Sequence, residues 1–199
     1  MTIVEEKKSL RKTINSNINT LYANLELREN ISDNICKTLL CCEEYKSADF
    51  VFSYIPKFPE LDCTKINVIA LTEKKLFVPK VEYGTYNMDF YELNPNLSLR
   101  EQLEEGSYGI LEPLNSLKKV NLNIESFFDK KKVLMIVPGV AFTKIGHRLG
   151  KGKGFYDRYI PKLKKICDNL IIVGICYPEQ ILKTVPINSL DFKMDKVFY

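Results

Sequence analysis

The sequence predicts an α/β protein, a three-layer sandwich whose mostly parallel central sheet is flanked by helices, with residues 1–199 forming a single domain. Three observations carry this reading. Apolar residues near the start recur at helical spacing. Residues 132–137 and 170–175 are short, continuously apolar after Lys132 and rich in β-branched side chains, the composition of strands buried on both faces. Helical and strand-like patterns then alternate along the chain, as they do where helices cover both faces of a sheet. A length of 199 residues, 45% of them hydrophobic and 27% charged, suits one domain with a substantial core.

The elements follow in order. Leu10, Ile14, Ile18, Leu21 and Leu25 step by four, four, three and four, predicting an amphipathic helix over 7–29. Ile35, Leu39 and Tyr45 predict a second over 33–46, with Ser32 or Asp33 as its N-cap. Residues 49–55 read as a buried strand ended by a loop over 56–62, where Pro56 and Pro59 stop any ladder. A helix over 63–73 and strands over 75–82 and 87–93 come next. Residues 94–132 are less regular, with a short helix before Gly106. The strand over 132–137 leads into a glycine-rich loop, a helix over 155–167 and the strand over 170–175.

Composition narrows the function classes. After Met1 to Val4 the chain runs straight into polar residues and offers no apolar stretch of the kind a secretion signal needs, and no apolar run approaches the roughly 20 residues of a membrane span. With six cysteines, no Cys-x-x-Cys and one histidine, His147, reduced thiols in the cytoplasm fit better than a disulfide framework or a zinc site. The net charge of +4 suits an anionic small molecule but falls short of a nucleic-acid footprint. Neither nucleic acid nor membrane is expected as a partner. No apolar stripe is left over to pair two copies, so a monomer is expected.

The chemistry concentrates between Pro138 and Arg158. This stretch leaves a buried strand, passes Gly146, Gly150, Gly152 and Gly154, and enters a helix. Glycine backbone can close on a ligand, and the helix start behind it offers unpaired N–H donors with a positive dipole end. Arg148, Lys151 and Lys153 add formal charge, so phosphate is the natural guest. A dinucleotide fingerprint is incomplete, because Phe155 stands where its third glycine belongs and no acid waits for a ribose. A P-loop fails too, because Gly154 follows Gly152-Lys153 where Ser or Thr is needed.

The run from Gly146 to Tyr159 (Gly-His-Arg-Leu-Gly-Lys-Gly-Lys-Gly-Phe-Tyr-Asp-Arg-Tyr) closely resembles the signature of 5-formyltetrahydrofolate cyclo-ligases. Other stretches match that family in the same order: Lys7 to Arg11, Phe50 to Thr64, Gly106 to Pro113 (Gly-Ser-Tyr-Gly-Ile-Leu-Glu-Pro), and Glu179 to Asp195. The resemblance implies ATP-dependent ring closure of a formylated folate, a substrate that can carry several glutamates, with Mg²⁺ assisting. It implies an ATP site made by Lys7, Lys8, Ser9, Leu10 and Arg11 together with Arg148, Leu149, Gly150, Lys151, Gly152, Lys153, Gly154, Phe155 and Tyr156. Folate would touch Ser53, Glu60, Lys151, Gly152, Lys153, Gly154 and Phe155. Arg148 and Lys7 would act in catalysis, and Asp157 and Asp191 would hold the metal. The i, i+4 spacing of Lys7 and Arg11 agrees, since it places both on one helix face. Three positions depart from the family: Phe155 replaces a tyrosine, Thr143 a frequent aspartate, and His147 a small polar residue.

Overall fold

The computed structural model describes residues 2–106 and 109–199. In chain order the helices and strands are α1 (Ile3–Leu21), α2 (Leu25–Cys41), a one-turn α3 (Glu43–Lys46), β1 (Phe50–Phe52), α4 (Thr64–Glu73), β2 (Lys75–Val81) and β3 (Met88–Glu92). They continue with β4 (Leu103–Glu105), β5 (Leu111–Pro113), β6 (Lys118–Lys119), β7 (Val133–Val137), β8 (Ala141–Thr143), β9 (Arg148–Leu149), α5 (Phe155–Lys164), β10 (Leu170–Ile175), β11 (Ile181–Leu182) and β12 (Lys196–Phe198). The main sheet has the order β12-β10-β7-β1-β2-β3-β6. From β12 to β2 every pairing is parallel, while β3 and β6 extend the edge antiparallel. The predicted fold class is therefore the one found.

The three layers follow from strand alternation. Val51, Leu134, Ile136, Val173 and Ile175 join a core with Ile14 and Ile18 of α1, Ile35 and Leu39 of α2, and Ile66 and Ala70 of α4. Phe50, Phe52, Val133, Met135, Val137 and Ile172 face the other way, onto Tyr159, Ile160 and Leu163 of α5. That second core is aromatic: Phe52 stacks on Phe77 at 4.6 Å and meets Phe90 at 5.0 Å.

Several helix boundaries differ from expectation. The chain breaks at residues 22–24, not after 29, and the second helix starts at Leu25, with Ser32 buried inside it. The apolar period misled at Leu21 and Leu25, which are half exposed. The buried face runs Ile14, Ile18, Tyr22, and Tyr22 stacks on Tyr177 at 4.2 Å. The Asn24 side chain then accepts the Leu27 N–H at 3.0 Å and starts α2. The helix expected over 155–167 ends at Lys164, and the short helix expected before Gly106 is a 3₁₀ turn at Arg100–Gln102. Strands β8, β9 and β12 were not foreseen, being too short to show a period. Of the Gly106 to Pro113 motif, Ser107 and Tyr108 lie outside the described residues. Among the described residues no helix is long and apolar enough to cross a membrane.

Candidate functional site

The site lies beyond the carboxyl ends of β1 and β7, where parallel sheets commonly place ligands. After Val137 the chain does not run straight into α5. It folds into the β8–β9 hairpin, pairing Phe142 with Arg148 and Ala141 with Leu149. The buried Gln180 amide donates to Gly139 O at 3.1 Å and Val140 O at 2.9 Å, holding the base of the loop. Gly152 (φ 101°) and Gly154 (φ 67°, the N-cap of α5) take left-handed backbone that other residues adopt only with strain.

Arg148 is thereby carried inward on a strand, and only 6% of its surface is exposed. Its guanidinium donates to Asp157 Oδ1 at 2.8 Å and to Pro138 O at 3.2 Å, and stands 5.5 Å from the Tyr156 ring centre. Its Nε is buried with no partner. Asp157, in the first turn of α5, also accepts the Phe192 N–H at 3.4 Å.

The first helix closes the site from the other side. Lys7 forms an ion pair with Asp191, whose carboxylate also accepts the Asn188 N–H at 2.6 Å. One turn on, Arg11 Nε donates to Gly150 O at 2.7 Å, and its guanidinium lies against Gly152. Burial lowers the Arg11 pKa; Asp191 opposes that shift and Arg148 reinforces it.

A cavity of about 450 Å³ opens beside the loop. Pro79, Val81, Met88 and Leu111 form an apolar wall, and Gly150, Lys151, Lys153, Gly154 and Phe155 border it on the loop side. Glu60 also lines the cavity and pairs with Lys151 at 2.7 Å. Burial, then the Glu60 charge, raises the Tyr156 pKa while Arg148 opposes, so this phenol stays neutral. A second, shallower cleft of about 720 Å³ is lined by Asp191, Lys164, Phe192 and Lys193, and Asp157 borders both spaces.

Most of the expected residues therefore meet. Lys7, Arg11, Glu60, Arg148, Gly150, Lys151, Lys153, Gly154, Phe155, Tyr156, Asp157 and Asp191 converge around the loop, with Gly152 against Arg11. Others do not reach it. Ser53 is fully buried 3.8 Å from the Cys63 sulfur, outside the cavity lining. Leu149 packs in the α1-side core, Leu10 packs against that core, and Lys8 and Ser9 face solvent. Sequence reasoning missed the cavity's far wall, including Pro79, Val81, Met88 and Leu111. These residues come from separate strands and carry no local pattern. Glu112 was visible only inside the quoted motif.

Comparison with known proteins identifies the family. Residues 3–199 match the model of the 5-formyltetrahydrofolate cyclo-ligase family. A probable 5-formyltetrahydrofolate cyclo-ligase of Schizosaccharomyces pombe is 34% identical over 200 residues, covering 96% of this chain and 93% of the relative. The solved 5,10-methenyltetrahydrofolate synthetase of Aquifex aeolicus superposes with a TM-score of 0.76 at 30% identity, over 96% of this chain and 88% of that one. The corresponding synthetase of Mycoplasma pneumoniae (TM-score 0.69, 19% identity, 97% and 98% covered) shares the fold. With the family model matched across almost the whole length, the chain belongs to the 5-formyltetrahydrofolate cyclo-ligase family.

Proposed function

We propose that this protein cyclises 5-formyltetrahydrofolate to 5,10-methenyltetrahydrofolate at the expense of ATP, releasing ADP and phosphate. The observation that carries this reading is the meeting of Lys7 and Arg11 with the glycine loop and Asp191 beside a partly apolar cavity. Cations and loop backbone suit a polyphosphate, and the cavity suits a flat heterocycle.

Formyl oxygen is a poor leaving group until it is phosphorylated. In the proposed sequence it attacks the γ-phosphorus and ADP departs. The neighbouring nitrogen then attacks the formyl carbon, and phosphate leaves as that nitrogen loses its proton. Arg148, Lys7 and Arg11 offset charge on the transferring phosphoryl group, and the loop sets its line of approach.

Magnesium fits the donors present. Asp157 and Asp191 are hard carboxylates bordering one cleft, and each is held by a cation, Arg148 or Lys7, that also suits phosphate. Among the described residues no cluster of three or more His, Cys, Asp or Glu surrounds this point, so phosphate and water would supply the remaining ligands. When bound, the ion neutralises phosphate charge. We read the protein as a monomer acting on free folate, with or without added glutamates.

The test mixes purified protein with 5-formyltetrahydrofolate and Mg-ATP and follows the near-ultraviolet absorbance of the methenyl product. Growth of that band only in the complete mixture is expected. Folded protein that binds ATP yet forms no product would overturn the proposed reaction.

A further inference from the structure

The cavity holds one acid that the reading above leaves without a task. Glu112 lies on β5, lines the cavity, and is only 4% exposed. The other two carboxylates there are matched to cations, Glu60 to Lys151 at 2.7 Å and Asp157 to Arg148 at 2.8 Å. Among the described residues the Glu112 carboxylate has no ion pair, and it accepts a hydrogen bond from the Val81 N–H at 3.4 Å. The neighbouring Lys80 is engaged by Glu104 at 2.8 Å and by Pro113 O at 3.0 Å.

The placement is nevertheless built. The Glu112 carboxylate occupies the space that a side chain at Gly106 would need, so that glycine makes room for it. A buried carboxylate without a cation is costly, and one lining a cavity points to a ligand that supplies the missing charge.

The proposed chemistry supplies such a charge late. The formylated bicycle enters neutral at its reacting end. Ring closure joins the second nitrogen to the formyl carbon, expels phosphate together with the nitrogen's proton, and leaves a delocalised N–C–N cation. Resting on that reading, we propose that Glu112 is the counter-ion of the cationic product: a substrate-facing residue whose attraction strengthens as the ring closes. Beside the cavity's apolar wall of Pro79, Val81, Met88 and Leu111 a full charge acts over several ångströms. An interaction stronger at the transition state than in the substrate complex raises kcat rather than lowering KM.

The test is Glu112→Gln, nearly the same shape and still able to accept the Val81 N–H, with Glu104→Gln on the same hairpin but outside the cavity lining as control. Turnover and equilibrium binding of both 5-formyltetrahydrofolate and freshly prepared methenyl product are measured. For Glu112→Gln we expect kcat to fall about 10- to 100-fold with KM changed less than about threefold. Affinity for the cationic product should fall about tenfold while affinity for the neutral substrate stays within about twofold. Glu104→Gln should match the wild type. An active wild type whose Glu112→Gln variant keeps kcat and product affinity, or loses both ligands equally, overturns the counter-ion role alone. A wild type that neither binds nor converts the folate overturns the proposed function, and this inference with it.

Discussion

Arg148 shows how much a single residue is asked to do. It is buried, bonded to Asp157 and Pro138 O, and packed beside Tyr156, so its position is fixed by the fold itself. The buried Nε, with no partner, leaves one donor uncommitted. Replacing Arg148 by Ala removes the charge and strands Asp157. We expect turnover to drop by roughly 10²- to 10³-fold, with a loss of about 3 kcal/mol in stability, the low end for a buried pair because Asp157 keeps some solvent contact. Turnover near wild type in a folded variant would remove Arg148 from the mechanism. At this scale the sequence was informative, since glycines alternating with cations advertise their chemistry locally. It was silent about Ser53, whose burial depends on how Cys63 folds back from the next helix.

Among the elements, periodicity located helices and strands better than it located their ends. Strands β7 and β10 were legible because burial on both faces leaves a run of apolar residues with no polar interruption. The boundary between α1 and α2 was not, because Leu21 and Leu25 extend the apolar period while facing solvent, and the stop signal is one asparagine side chain. That cap has a measurable consequence. Asn24→Ala should lower stability by about 1 kcal/mol, read as a small fall in the chemical-denaturation midpoint at unchanged slope. A variant as stable as the wild type would mean that α2 is started by packing alone. The β8–β9 hairpin escaped notice for a different reason. A three-residue strand facing a two-residue one is too short for any pattern, yet it is what turns Arg148 inward.

For the whole molecule, distant parts of the chain are joined by contacts that no window of sequence displays. Lys7 meets Asp191, Arg11 meets Gly150, and Lys196 of β12 reaches Glu44 of α3 at 3.0 Å. The last pair has a pH signature. The Glu44 carboxyl is held down at about 2, below its ordinary 4.5, first by the Cys42 thiol, then by its own backbone N–H and the Lys196 ammonium. A depressed carboxyl contributes stability that is full above the unfolded pKa and fades as pH falls through the folded one. The difference in stability between wild type and Glu44→Gln should therefore be steady above about pH 4.5 and shrink as pH drops toward 2. A constant gap across that window would show that the pairing does not couple to protonation. The three-layer architecture was readable because it rests on composition and alternation. The meeting of the first helix with the glycine loop rested on family likeness, since on base rates a lysine and an arginine one turn apart are ordinary surface charges.

Phe142, the central residue of β8, ties the outermost part of the molecule to the innermost. Its ring fills space left open by Gly139 at the mouth of the loop and by Gly174, the next-to-last residue of β10, while the stem of Arg148 also lies beside Gly139. The ring works as a peg: sheet on one side, glycine loop on the other. A methyl group added at Gly174, deep in the sheet and outside both ligand spaces, would push on that peg and, through the hairpin, on Arg148. Gly174→Ala should therefore behave as an active-site mutation delivered from behind, reducing turnover by more than its loss of stability accounts for. If turnover instead follows the folded fraction alone, the peg is ordinary packing. The loop owes its shape to the core of the sheet as much as to its own glycines.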